Sequence, residues 1–511
     1  MKSILCALRQ PGAIEDVVVA APSHLPDPET HLLEPLHLIQ KAPGYAPAVK
    51  PRFLDRALDR IVQWTGSIPM FVLLQVLVLV WSLSGIWVAN TNLWPVLMGN
   101  FQAIFSYVLD SLLMRQQLNG YDENILVAAE VLSRTETHHR TLKLVVDSIG
   151  ADKVGRIAAD ACTAQFEGEI RLPQQGRFDR AINRMALWLG HIWFVVFFWA
   201  TMLLWLAFGP SNQWSDLWQL DINSATSALL IFIFSFLAIL RERHAAYTHA
   251  CVDAIYRVDA ALEVKLRALT NDEIVNPETL MSAPRVSWLQ RAINYYANVV
   301  GTLAGVALLI VVTIAWIAVG PVMHFSTNWW LLIGTYAGLV GLNDGFVMRN
   351  VQAQLRKYEA PHYAAIDKKD RELLAAVNIE PLTCEPINTT RISYRVSEWM
   401  NDVCGHEWTV LGGFIFLCGV VAGSSAMHWN ETGQLLSNIP PMIIESFFMI
   451  ILITGHNSAD AERRIYLTDM FRRRLQLLDF ANHVTKEDDA DKIMLNSIPD
   501  DVLSEVIIRK A

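Results

Sequence analysis

Apolar positions in this chain gather into long runs. Eight stretches, at about 68–86, 95–114, 189–209, 223–240, 300–320, 329–348, 409–427 and 438–456, each approach the roughly 20 apolar residues that carry a helix across a bilayer. The runs come in pairs, and a shorter segment precedes each pair. "FLDRALDRIVQWTG" (53–66) aligns with "RFDRAINRMALWLG" (177–190), "WLQRAINYYANVVG" (288–301) and "ISYRVSEWMNDVCG" (392–405). Arg56, Arg180, Arg291 and Arg395 stand at one fixed spacing before Gly66, Gly190, Gly301 and Gly405. Trp81, Trp205 and Trp316 then share a column that Val420 breaks, and the second run of each pair opens at Asn100, Asn223, Gly334 or Asn438. A motif repeated at a long period signals a repeated structural unit.

Each unit reads as a short amphipathic helix, a span, a tight outer turn, a second span and a polar helical extension such as 241–269. The pattern predicts an all-α polytopic membrane protein. Its eight transmembrane helices form four parallel two-helix hairpin repeats with cytosolic helical extensions. The predicted bounds are a cytosolic tail over 1–50, repeats over 51–175, 176–283, 284–390 and 391–485, and a second cytosolic tail over 486–511. Each unit crosses twice, so the copies share one orientation and relate about an axis along the membrane normal. They can enclose a central pathway or pack as a bundle without one.

Charge fixes the predicted orientation. Lys and Arg are absent from 61–114, 185–240, 292–348 and 396–462, each of which holds two spans and their connector. Basic residues mark the cytosolic side, which puts both termini inside and the short connectors outside. Trp87, Trp94, Trp214, Trp218, Trp329, Trp330 and Trp429 in or beside the connectors suit an interfacial belt. Composition agrees: of 511 residues, 53% are hydrophobic and only 18% charged, against about 25% charged in soluble domains. No signal-peptide core opens the chain. Six scattered cysteines without a CxxC pair give no sign of a disulfide framework.

Three acids interrupt the apolar runs. Asp344 lies in "GLNDGFVMR", Asp110 occupies the same place in the first unit, and Glu445 lies three residues nearer the outside in the fourth; the second unit has Ile233 instead. A charged side chain at the centre of a span costs about 2.5–3.5 kcal/mol on insertion scales, so such residues face a polar interior. Met114, Met348 and Met449 each follow an acid by four residues, which places carboxylate and thioether on one helix face. Carboxylate suits harder divalent ions and thioether softer ones. Asn343 adds a neutral oxygen beside Asp344. His191 and His406 directly follow the repeated glycine in units two and four, where Ser67 and Thr302 stand in the others. That column offers either metal ligands or helix caps. The predicted metal residues are therefore Asp110, Met114, Asn343, Asp344, Met348, Glu445, Met449, His191 and His406. Filler methionines and acids paired with a buried Asn or Tyr are the structural alternatives.

No dinucleotide fingerprint, P-loop or HExxH zinc motif occurs, so nothing points to an enzyme or a resident cofactor. Transport through such a chain runs on gradients. An anion channel would need basic pore residues, and the spans have none. A non-transporting scaffold built on the extensions 121–170, 241–270, 349–378 and 459–485 is the other alternative. The expected partners are metal ions and the lipid bilayer, with no nucleic acid, and a homo-oligomer is open.

The unit "WTGSIPMFVLLQVLVLVWSLSG…WPVLMGNFQAIFSYVLD" resembles that of the low-affinity iron permease family, and "PGAIEDVVVAAP" is similar to the openings of its fungal members. The resemblance spans about 53–485 and is plainest in the first two units. It implies a plasma-membrane permease that admits Fe(II) at low affinity, with copper and zinc as further substrates. It implies no ligand assignment.

Overall fold

The computed structural model describes residues 14–26, 34–47, 49–88, 93–160, 171–385, 389–390 and 392–497. In chain order the helices are α1 (Pro35–Lys41), α2 (Phe53–Thr65), α3 (Ile68–Val88), α4 (Leu93–Ile149), α5 (Ala151–Asp160), α6 (Arg177–Leu189), α7 (Ile192–Ala207), α8 (Asp216–Thr270), α9 (Trp288–Val300), α10 (Leu303–Val319), α11 (Thr327–Ala376), α12 (Ile392–Cys404), α13 (Glu407–Ala426) and α14 (Glu431–Ser497). One small antiparallel sheet pairs β1 (Val17–Val19) with β2 (Thr279–Met281), Val18 opposite Leu280. The protein is all-α in its membrane part. Six helices are long and apolar enough to cross a membrane, or up to eight if each bent pair, α6–α7 and α9–α10, counts as one span.

The second apolar run of each pair does not stop where the polar sequence starts. Spans and extensions fuse into α4, α8, α11 and α14, helices of 57, 55, 50 and 67 residues. No proline stands at the junction of the two parts, so nothing breaks the hydrogen-bond ladder at the membrane surface. These four form the central bundle, each touching its neighbours in the cyclic order α4–α11–α14–α8. Their connector ends are apolar and their far ends polar. A hydrophobic core fills each half, one around Leu113, Phe236, Val347 and Ile451, the other around Ala128, Leu262, Leu374 and Phe480.

α3, α7, α10 and α13 stand outside this bundle. Their outer faces are apolar and exposed, as at Leu77, Val80, Phe197, Leu204, Val311, Ile314, Phe414 and Ile415. So large an unpartnered apolar surface suits lipid. α2, α6, α9 and α12 precede them, and α6 and α9 meet their successors at 55° and 67°. Trp64, Trp188, Trp288 and Trp399 project from these short helices, as interfacial helices present them.

The four hinge glycines explain the bundle order. Gly66, Gly190, Gly301 and Gly405 have ordinary negative φ (for example −82° at Gly66), so conformation does not demand glycine there. Close approach does. A Cβ on Gly66 would lie 2.7 Å from Glu242 Cβ of α8, and one on Gly190 2.7 Å from Asn457 of α14. A Cβ on Gly301 would meet the Arg115 backbone of α4 at 3.2 Å, and one on Gly405 Ala353 Cβ of α11 at 2.5 Å. Hydrogen bonds reinforce three of these seats. Thr454 Oγ1 donates to Gly190 O (3.0 Å), Asn350 Nδ2 to Gly405 O (2.8 Å), and Arg115 Nη1 reaches Gly301 O at 3.5 Å. Every hinge is thus held by the long helix of a different unit.

At the connector ends, Trp81 stacks on Trp94 (ring centroids 4.1 Å apart), Trp205 on Trp218 (3.9 Å) and Trp316 on Trp329 (4.4 Å). In the first and third pairs each indole N–H donates to the other residue's carbonyl. Where Val420 breaks the Trp column, the span pair is joined one turn further on by a Ser424–Ser437 hydroxyl bond.

Ion pairs knit the polar half. Arg134 of α4 reaches Asp259 and Glu263 of α8, and Arg474 of α14 bridges Asp259 to Asp370 of α11 (2.7 Å to Asp370). All are buried. Burial, then Arg474 and Arg134, push the His138 imidazole well below its usual pKa, and burial raises the Asp370 carboxyl to about 6.

Candidate functional site

The acids lie inside the central bundle, each about 1% exposed. Glycines on α11 make room for Glu445 of α14: a Cβ on Gly341 would stand 2.8 Å from both Glu445 oxygens. Asp344 follows one turn along that same face. Asp110 of α4 lies within electrostatic reach of both Asp344 and Glu445. The Tyr107 and Tyr336 rings, 6.0 Å apart, join α4 to α11 nearby. Three of the four long helices therefore bring a carboxylate toward one stretch of the axis, and α8 contributes the fully buried Ile233.

Their partners differ. The half-buried Tyr296 of α9 donates its hydroxyl to Asp344 Oδ1 at 2.6 Å, so a structural pairing with tyrosine accompanies this acid. Asp110 and Glu445 have no hydrogen-bond partner on either oxygen among the described residues. A buried carboxylate left so is costly. It holds a proton, or it awaits a cation. Among the described residues no group of three or more His, Cys, Asp or Glu is arranged to hold a metal ion. The acids line one place without closing around one ion.

Met114, Met348 and Met449 are fully buried in the core at this level, and Met449 Cε would lie 3.5 Å from a Cβ on Gly345. Asn343 is half-buried beside Asp344. His191 and His406 are not brought to the acids. Both are exposed helix N-caps, their Nδ1 accepting from Trp193 N and Trp408 N at 3.3 Å. Ser67 and Thr302 cap in the same way. Of the polar span residues, Gln75 Nε2 donates across to Ser235 of α8 (2.8 Å), whereas Gln102 bonds Ser106 within its own helix.

Toward the connectors the axis stays polar. Asn438 Nδ2 donates to Asn223 Oδ1 at 3.0 Å, and Asn100 and Gln434 are buried near them. These asparagines were visible in the sequence as the residues opening three of the second spans. Toward the polar half a cavity of about 130 Å³ opens between the long helices, lined by Gln117, Arg241, His244, Gln352, Glu359 and His456 among others. No sequence signal marked His244, which follows a span in a basic stretch; only the packing of α8 on α14 brings it to the axis.

Comparison with known proteins bears on what such a bundle does. The description "Low affinity iron permease" matches residues 178–282, 289–379 and 393–509. The low-affinity iron/zinc ion transport protein of Schizosaccharomyces pombe is 35% identical over 429 residues, 83% of this chain and 72% of that protein. The chain belongs to the low-affinity iron permease family. A second relative of this permease, the low-affinity Fe(2+) transport protein of Saccharomyces cerevisiae, is 32% identical over 462 residues, 84% of this chain and 83% of the relative. The three matched segments begin within two residues of 177, 288 and 392, where the second, third and fourth copies of the short motif begin. They leave out the first unit, on which the sequence resemblance is plainest. Both relatives are named as transporters and not as enzymes. No solved structure matches this permease.

Proposed function

We propose that this permease takes up divalent transition-metal ions, chiefly Fe(II) and also zinc, at low affinity along the axis of its four long helices. The names of its relatives support the substrate class. The observation that carries the path is the pair of buried carboxylates without hydrogen-bond partners among the described residues, Asp110 and Glu445, beside Asp344 in the apolar half of the bundle. On this reading an ion sheds part of its water against Asn100, Asn223 and Asn438. It then meets the three acids, which neutralise it without enclosing it. Loose binding favours conduction, because an ion has to leave as readily as it enters. Met114, Met348 and Met449 supply soft contacts, and Asn343 a neutral oxygen. Copper is read as a further substrate, on the family resemblance and on the thioethers, which suit softer ions.

The protein is read as four hairpin repeats around a pseudo-fourfold axis. The recurrent order of short, apolar and long helices supports this, as do the hinge contacts made in one rotational sense. Both termini are read as cytosolic: residues 17–19 pair with 279–281 at the polar end of the bundle, where α14 also runs out. In the plasma membrane a divalent ion entering a negative interior gains about 4.6 kcal/mol per 100 mV, twice the single-charge value, so no other energy source is needed.

The test is radioactive iron or zinc uptake into proteoliposomes carrying the purified permease, with Glu445→Gln and Asp344→Asn as variants. Each is expected to cut the initial rate about tenfold or more, one unit charge at a constriction being worth more than 1.4 kcal/mol. Wild-type flux in both variants at equal protein density overturns the path.

A further inference from the structure

Two buried guanidiniums at the polar end of the axis have neutral partners only. Arg241 of α8 is 6% exposed; its Nη1 donates to Leu113 O at 3.0 Å and its Nη2 to Gln117 Oε1 at 3.2 Å. Arg349 of α11 is 3% exposed and donates to Gln352 Oε1 (2.6 Å) and Asn401 O (2.8 Å). Among the described residues no carboxylate pairs with either. The other arginines buried in the bundle have their acids: Arg115 has Asp55 and Asp59, Arg134 has Glu263, and Arg474 has Asp370. A buried charge with no counter-charge is costly.

Arg241 faces the cavity of about 130 Å³, and Gln352 joins Arg349 to the same wall. The space is several times one water molecule's share of the liquid, roughly 30 Å³. Its other charges are spoken for. Arg463 pairs with Glu359 at 3.1 Å, and Arg356 with Glu398 and Glu462. Glu359, the one carboxylate among the lining residues, also accepts from Asn124. His244 Nδ1 and His456 Nε2 lie 3.0 Å apart in a bond that needs one ring to accept, so that ring is neutral. What is left over in the wall is positive charge and N–H donors. Arg241 uses two of its five donors on protein among the described residues. The amides of Gln116, Gln117, Asn124 and Gln352 each spend one N–H on an oxygen of the protein and carry a second.

We propose that this cavity binds a small tetrahedral oxyanion, inorganic phosphate, on Arg241. The planar fork of a guanidinium presents paired donors that match two oxygens of such an ion. The anion supplies the counter-charge that the fold does not, and the amides around it take its remaining oxygens. The volume suits a free ion with some water and not a nucleotide. An anion here also lowers the barrier that a cation meets after leaving the acids; that consequence rests on the function proposed above, and the site does not.

The experiment titrates inorganic phosphate into the full-length, metal-free permease in detergent, at constant ionic strength in chloride, and follows the heat. Wild type is expected to give a saturable heat in the low millimolar range. Arg241→Gln should weaken it about tenfold or more, a hydrogen bond to a charged group being lost. Arg243→Gln should leave it unchanged, since Arg243 lies outside the cavity and pairs with Asp179. No saturable heat in wild type, or equal titrations in wild type and Arg241→Gln, overturns the site. Displacement of the phosphate by AMP overturns the assignment to a free ion. If Arg241→Gln does not fold, an electron cryo-microscopy map of the wild type in phosphate decides: an oxyanion against Arg241 supports the site, and a cavity holding only water overturns it. Because no metal is present, a negative result here leaves the path through the acids standing, and lost uptake in Glu445→Gln leaves this site standing.

Discussion

Tyr296 reaches from the short helix α9 to Asp344 on α11 and gives it a 2.6 Å hydrogen bond, while the neighbouring Glu445 receives none among the described residues. One acid is fixed from outside the central bundle and the other is left to its surroundings. A hydrogen bond to a charged group is worth about 1.5–3 kcal/mol, enough to hold Asp344 in one rotamer. Tyr296→Phe should therefore keep the protein folded and lower the rate of metal uptake several-fold, measured as initial flux in proteoliposomes at matched protein density. Flux at or above the wild-type level would mean that the tyrosine competes with the ion for Asp344.

Gly341 offers a sharper perturbation. An added methyl there would sit 2.8 Å from both Glu445 oxygens, so the carboxylate must swing away. Gly341→Ala should abolish most uptake with little change in expression, because helix propensity favours alanine by up to about 1 kcal/mol. Uptake by the variant close to wild type would place Glu445 outside the path.

Adjacent glycines on α13 should respond in opposite directions. A Cβ on Gly412 meets nothing within 4 Å, whereas one on Gly413 would lie 2.3 Å from the Phe346 ring of α11. Gly412→Ala should raise the melting temperature slightly. Gly413→Ala should lower it by the equivalent of about 1–3 kcal/mol, the usual cost of overpacking. Thermal unfolding of the two variants side by side checks the packing of α13 on α11.

The ion-paired polar half should be pH-sensitive through His138 and Asp370, with opposite signs. His138 is held neutral in the fold but binds a proton below its ordinary value of 6.5 when unfolded, so its contribution to stability falls as pH drops below about 6.5. Asp370, raised to about 6, binds its proton earlier folded than unfolded. Its contribution is full below an unfolded value of 3.8 and is lost as pH rises through 6. Unfolding midpoints between pH 7 and 5 should fall less in His138→Gln than in wild type; equal slopes would mean that the histidine titrates normally.

How much of this was legible beforehand depended on the range of the interaction. The apolar runs gave the spans, since crossing a bilayer is a matter of local composition: α3, predicted over 68–86, runs Ile68–Val88, and α13, predicted over 409–427, runs Glu407–Ala426. The fixed Arg-to-Gly spacing marked the hinges. Where polar sequence follows an apolar run, hydropathy falls although the helix does not end, and the sequence alone divided α8 and α14 into span and extension. The histidines at 191 and 406 stood out by position and proved to be caps. His244 and Asn183, 61 residues apart, meet only through packing, and no periodicity could have paired them.

The rotational sense of the hinge contacts carries a last implication. Each unit bears a knob, its glycine corner, and a socket on its long helix, and the knob always enters another unit's socket. On the four-repeat reading, a lone hairpin of this kind would be self-complementary and would close as a ring of identical subunits. One covalent chain keeps that closure while each copy can differ, as Ile233 differs from the acids of the other three.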